Sequence, residues 1–270
     1  MIRSKATRLS LSLAMLLVGC ATGGGNYDTP EEADQARLLE LDKLISQRPN
    51  DPGLYYEKGN THFDLRQFAE AVTAYERVLE LAPETPKALT NLGLSLRQLN
   101  RIDDALVAYQ KVLTYDPEDV TTLRNLKVVL EMKGDTALLA ETTGRLAALD
   151  PRNEDLQREY ADLLFSAQDY AAAADAFQNV IAINGDLVED WYAMGLCYFN
   201  VADWDACERT WSEALDLAPY HPPTNQGIAV LFWSKRNFDR AWDAVYRCQR
   251  LGIHLDPAFL DDLRRDSGRE

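Results

Sequence analysis

Apolar residues recur along this chain at the three- and four-residue spacing that lines them up on one side of a helix. Leu89, Leu92 and Leu96 form one such stripe, and Leu106, Tyr109 and Leu113 form the next. The spacing predicts short amphipathic helices that meet in pairs. The pairs follow a ruler. Stepping by 34 from Pro49 reaches Pro83, Pro117, Pro151, Gly185 and Pro219. Only 11 of 270 residues are proline, so four hits in five steps mark an internal repeat rather than chance. A proline has no amide hydrogen to give to a helix, and each of these is expected to end the second helix of its pair.

Starting each unit three residues after its proline divides the chain into units one to six, spanning 52–85, 86–119, 120–153, 154–187, 188–221 and 222–253. Gly59, Gly93 and Gly195 then share the eighth place. Ala71, Ala105, Ala173, Cys207 and Ala241 share the twentieth, and Tyr75, Tyr109, Phe177 and Trp211 the twenty-fourth. Small residues at the first two places let two helices approach closely, and a large ring at the third fills the space beside them. Between the helices lie Gln67-Phe68, Arg101-Ile102, Asp169-Tyr170, Asp203-Trp204 and Asn237-Phe238, each a polar residue suited to capping followed by an apolar one that tucks under. This pattern resembles the tetratricopeptide repeat over about 200 residues, from Pro52 to Ile253. The resemblance implies an all-α solenoid of six helix-turn-helix units in a right-handed superhelix. Unit three departs from it. Lys127, Leu139 and Thr143 replace the glycine, the alanine and the ring, so either its two helices stand further apart or the superhelix bends there.

Both ends of the array carry extra helical pattern. A helix is expected within 29–50, with Thr29 as N-cap and Pro30 in its first turn. Residues 254–270 resemble the start of another unit that runs out into charge, and a capping helix there would cover apolar surface of the last repeat.

The segment 1–19 has a different character. Arg3, Lys5 and Arg8 precede an uncharged run from Leu9 to Gly19, too short to cross a bilayer, which reads as an export signal. Leu17-Val18-Gly19-Cys20 resembles the lipobox of bacterial lipoproteins. The resemblance implies cleavage before Cys20, a diacylglycerol on its thiol and an acyl chain on its new N-terminus, with 20–28 as a flexible tether. Several acyl chains hold a protein far more firmly than one, at about 0.8 kcal/mol per buried CH₂. Ala21, in place of an aspartate, implies outer-membrane sorting with the body facing the periplasm.

Charge narrows the partners. Taking the three signal cations off the 28 basic residues leaves 25 against 43 acidic ones, a net charge near −18. Nucleic acid is not expected as a partner, because phosphate binding is driven by Lys and Arg. The three histidines, His62, His221 and His254, stand apart from metal-ligand spacing, and Gly23-Gly24-Gly25 lacks the lysine of a phosphate loop. Neither a catalytic site, nor a metal, nor a cofactor beyond the lipid is expected. Cys197, Cys207 and Cys248 fit small buried slots as free thiols; a Cys197–Cys207 disulfide within unit five is the alternative in an oxidising compartment.

In the repeat family the first helix of each unit lines the inner surface, and ligands touch its second, fifth, ninth, twelfth and thirteenth places. Carried onto this chain, the resemblance implies a groove of Tyr56, Asn60, Phe63, Lys87, Leu94, Arg97, Arg124, Val128, Met132, Arg158, Phe165, Tyr192, Phe199 and Trp233. Tyr56 and Thr121 stand where the chaperone-tail members carry clamp residues, so that clamp is not expected. The expected function is a non-catalytic scaffold that docks a segment of an envelope protein. In architecture it resembles the pilotins that assist type IV pilus secretins. The alternative is a regulator of a peptidoglycan synthase or hydrolase.

Overall fold

The computed structural model describes residues 29–269, and among these every regular element is a helix. The expected signal peptide (1–19), Cys20 and the tether (20–28) lie outside the described residues. Helix α1 (Pro30–Gln47) comes first, with the Thr29 hydroxyl accepting from the Glu32 N–H as its cap. Six pairs follow: α2 (Pro52–Asp64) with α3 (Phe68–Leu81), α4 (Pro86–Gln98) with α5 (Ile102–Tyr115), and α6 (Val120–Lys133) with α7 (Thr136–Leu149). The other three are α8 (Glu154–Ser166) with α9 (Tyr170–Ile183), α10 (Val188–Asn200) with α11 (Trp204–Leu217), and α12 (Pro222–Ser234) with α13 (Phe238–Arg250). Helix α14 (Pro257–Ser267) closes the chain. Neighbouring helices pack in chain order, and the first helices of adjacent units also touch one another, α2 with α4, α4 with α6 and α10 with α12. No two second helices meet to that extent, so the first helices form the tightly spaced inner side of a curved stack.

In units one, two and five the close approach within the pair is a glycine set against a ring. A Cβ built on Gly59 would stand 2.6 Å from the Tyr75 ring, on Gly93 2.6 Å from Tyr109, and on Gly195 2.1 Å from the Trp211 indole nitrogen. Two further glycines play the same part between units. Gly144 of α7 faces Tyr160 of α8, and Gly227 of α12 meets the far edge of Trp211. Unit three thus lacks the interlock inside its own pair and makes it with the next unit instead. Its helices α6 and α7 meet less closely than those of the other pairs, which decides for wider spacing in this unit. Lys127, in the glycine's place, reaches across to Glu159 of α8 (2.7 Å) and Glu131 (3.3 Å). One buried apolar cluster runs from Ala71 to Leu130 and another begins at Ala161, so the core changes hands here too.

The period is written into the backbone as well. Arg66, Asn100, Gly134, Gln168, Ala202 and Arg236, each one period after the last, all adopt left-handed conformation with φ between 54° and 74°. In each unit the next N–H returns to a carbonyl five positions back, from Gln67 to His62 (2.8 Å) through Asn237 to Phe232 (2.9 Å). This doubled-back turn satisfies the last carbonyls of the first helix and starts the second. Capping at the following residue is uneven. Asp135, Asp169, Asp203 and Asn237 accept from their second helix, whereas Gln67 and Arg101, expected to cap, make no side-chain cap bond. A guanidinium has no acceptor to offer an N–H, and at Gln67 the side-chain oxygen is taken by His62 Nδ1 at 2.7 Å.

The ends are half-units. Helix α1 ends one period before α3 does, and its buried Leu41 lies one period before Tyr75, so it serves as the second helix of a preceding unit. The same backward-reaching ion pair between first and second helices recurs as Lys133–Asp103, Lys235–Asp205 and Arg269–Asp239. The last of these puts α14 in register as the first helix of a seventh unit.

The Cys197–Cys207 disulfide is not formed: Cys197, Cys207 and Cys248 are free and fully buried. Each fills a tight slot where a small apolar side chain suffices, and burial pushes both Cys197 and Cys207 up to about 12.

Two expectations follow from this packing. Ala202→Gly should raise the urea midpoint by about 1 kcal/mol equivalent, since left-handed φ costs an L-residue roughly that much. Gly134→Ala should lower it by a similar amount, and Gly195→Ala by about 1–3 kcal/mol through the clash with Trp211. A Gly195→Ala midpoint equal to that of the unsubstituted protein would contradict the interlock. In addition, the three buried thiols should ignore a disulfide-exchange reagent at pH 8 in the folded protein and react after guanidinium unfolding, because the reactive thiolate is suppressed.

Candidate functional site

The inner face is a row of first helices, and its three stretches differ. In unit one the expected groove residues tie to one another. Tyr75 Oη donates to Asn60 Oδ1 (2.7 Å), and Asn91 Nδ2 donates to Asn60 Oδ1 (2.9 Å) and to Tyr56 Oη (3.2 Å). Tyr56 packs obliquely on Tyr75, and Phe63 sets its edge on Phe68. Unit two has Leu94 where unit one has Asn60, so the Tyr109 hydroxyl finds no acceptor, and burial pushes it up to about 12. Asn91 was not singled out from the sequence, although its amide joins the first two units.

Units two and three form the open stretch. Lys87, Arg124, Val128 and Met132 are exposed there, the last at 51%, and Leu94 and Arg97 are half-buried. Among the described residues Lys87, Arg97 and Arg124 form no ion pair. By helical spacing Lys87, Leu94 and Arg97 fall on one side of α4, and Arg124, Val128 and Met132 on the corresponding side of α6.

Unit four reverses the charge. Arg158 is fully engaged: it grips the buried Asp190 through Nε (3.0 Å) and a terminal nitrogen (2.8 Å), and holds Glu154 at 2.7 Å. These partners raise the Arg158 guanidinium, and Arg158 in turn, with Asn184, holds Glu154 below its ordinary value. Around them Asp155, Glu159, Asp162, Leu163 and Ser166 border an open depression of about 330 Å³. Burial, with Asp190 and Glu159 nearby, raises Asp162 above the usual carboxylate range in spite of Arg158. Phe165, beside this depression, turns its edge to Tyr170.

At the far end the aromatic residues are used internally. Tyr192 and Phe199 both lie nearly parallel to Trp211, with centroids 5.9 and 6.0 Å away. Trp204 meets Phe199 edge-on and His221 meets Tyr192 likewise. Trp233, expected to be open, is covered by α14: its indole donates to Asp266 (3.0 Å) and Phe259 packs against it. Among the described residues no cluster of His, Cys, Asp or Glu has the geometry to hold a metal, and no helix is long and apolar enough to cross a membrane.

Comparisons with known proteins agree with this architecture. The tetratricopeptide repeat family profile matches residues 56–120. No curated protein matches the sequence. Among solved structures, the complex of Naa15 and Naa10 bound to HypK-THB is similar at 13% identity, over 85% of this chain and 35% of that one, with a TM-score of 0.64. YrrB, described as a TPR protein with an unusual peptide-binding site, is similar at 18% identity over 68% of this chain and 95% of its own, with a TM-score of 0.47. MamA is similar at 24% identity over 60% and 94%, with a TM-score of 0.45. By its fold, this protein is an all-α solenoid of six helix pairs with a half-unit at each end, whose residues 56–120 match the tetratricopeptide repeat family.

Proposed function

We propose that the protein is a non-catalytic docking scaffold, held at the outer membrane by lipid on Cys20 and facing the periplasm, that takes a segment of an envelope protein along its inner face. The observation that carries this reading is the open surface on α4 and α6. A stack that packs the half-buried Tyr192, Phe199 and Trp233 against its own rings leaves Val128 and Met132 exposed, beside cations that have no ion-pair partner among the described residues. Exposed apolar groups ringed by charge are characteristic of contact surfaces. The anchor rests on Leu17-Val18-Gly19-Cys20 and on the small, uncharged residues after it. Its role is to position: the lipid fixes the body at the bilayer while the groove holds the partner's chain. Within that class, a pilotin-like part in secretin assembly fits the combination of one lipidated cysteine, a glycine tether and a helical-repeat body.

Cys20→Ser should move the protein from the membrane fraction to the soluble fraction of the envelope; an equally membrane-bound variant would sink the anchor. A photoreactive residue at Met132 in intact cells should crosslink to an envelope protein far more than one at Trp233. A secretin subunit in that adduct supports the pilotin-like role, and a peptidoglycan synthase or hydrolase replaces it. Equal yields at the two positions would remove the groove from the proposal.

A further inference from the structure

We infer that the segment docked on units two and three is acidic, with apolar residues interspersed, and lies extended across α4 and α6. The inference rests on the docking reading above and adds the chemistry of the partner. Its basis is a division of charge along the inner face. Of the cations there in units two to four, Arg158 is consumed by Glu154 and Asp190, while Lys87, Arg97 and Arg124 have no ion pair among the described residues. Lys87 and Arg97 stand toward opposite ends of α4 and Arg124 on the next inner helix, α6, with Leu94, Val128 and Met132 on the same two helices. In a chain of net charge −15 such a patch is not the average surface, and it attracts a ligand of opposite sign.

The neighbouring stretch limits how far the acidic part extends. Beyond α6 the face carries Asp155, Glu159 and Asp162, where a ligand carboxylate would meet like charge. Lys127 does not relieve this, because it is already shared between Glu131 and Glu159. An extended chain advances about 3.3 Å per residue and packed helices lie about 8–10 Å apart, so an acidic stretch of about six residues spans the two helices and their margins. Past unit three the segment is neutral or basic.

The test uses the full chain in detergent and two labelled probes: a peptide with Glu-Leu-Glu-Val-Glu-Phe between Gly-Ser flanks, and its counterpart with lysine for each glutamate. The acidic probe should bind saturably, more weakly at 300 mM than at 50 mM NaCl, and the basic probe should not bind. In K87Q/R97Q/R124Q the affinity for the acidic probe should fall about tenfold, as three exposed charge pairs would together provide. These are surface positions, and an unchanged circular-dichroism melt verifies that the variant is folded. Val128→Ser with Met132→Ser, which leaves the charges intact, should weaken binding without removing its salt dependence. Absent binding of the acidic probe, equal binding of the basic one, or an unaffected triple-glutamine variant each overturns the inference. So does a concentration-dependent dimer that disappears in the triple-glutamine variant, because a second copy would then be the occupant. Crosslinking at Met132 in cells separates the two levels: if it persists when the acidic preference fails, docking stands and only the ligand chemistry falls.

Discussion

The structure depends on how near two helices can come. Gly59, Gly93 and Gly195 leave no room for a methyl group because a ring from the partner helix occupies that space. A ring against bare backbone gives close-packed contact over a large area, and its recurrence within units one, two and five and at two of the joints between units holds the helices of the stack close. Where the interlock moves, the packing follows. Gly144 and Tyr160 carry it from inside unit three to the joint with unit four, and there the buried apolar cluster is interrupted and the ion pair of Lys127 with Glu159 bridges the units. The polar joint is a consequence of losing one glycine and one ring from their usual places.

That displacement also shapes the inner face. Units five and six have large rings, and rings in a narrow concave stack find each other: Trp211 occupies Tyr192 and Phe199, and α14 occupies Trp233. Unit one commits its polar groups to a network around Asn60. Among the described residues of this face, it is in the middle units that cations without an ion pair stand beside exposed apolar groups. Availability on this surface is therefore set by what neighbouring helices fail to cover, more than by which residues stand at the inner places.

The same distinction explains what could be read from the residues alone. Helix pairs were legible because the regular recurrence of proline, glycine and ring is a one-dimensional signal, and the fold follows from it directly. The left-handed turn was hidden. Only Gly134 advertises it, while Arg66, Asn100, Gln168, Ala202 and Arg236 take the same φ under the constraint of the packed hairpin. Gly144 and Gly227 were missed because they contact rings in an adjoining unit, a relation that place-by-place alignment of units does not display. Likewise Arg158 and Trp233 occupy inner places like the rest. Their engagement with Asp190 and Asp266 depends on partners in the following helices, and on side-chain directions that no spacing encodes.

Trp211 has one more implication. Repeat proteins are often pictured as trains of interchangeable carriages, in which any coupling can be undone. Here a single indole belongs to two carriages at once: its nitrogen end lies against Gly195 of unit five and its far edge against Gly227 of unit six. Shortening the chain at that seam would strip the indole of half its bed, and inserting another unit would require that unit to bring its own glycine. Modularity, in this array, stops between the fifth carriage and the sixth.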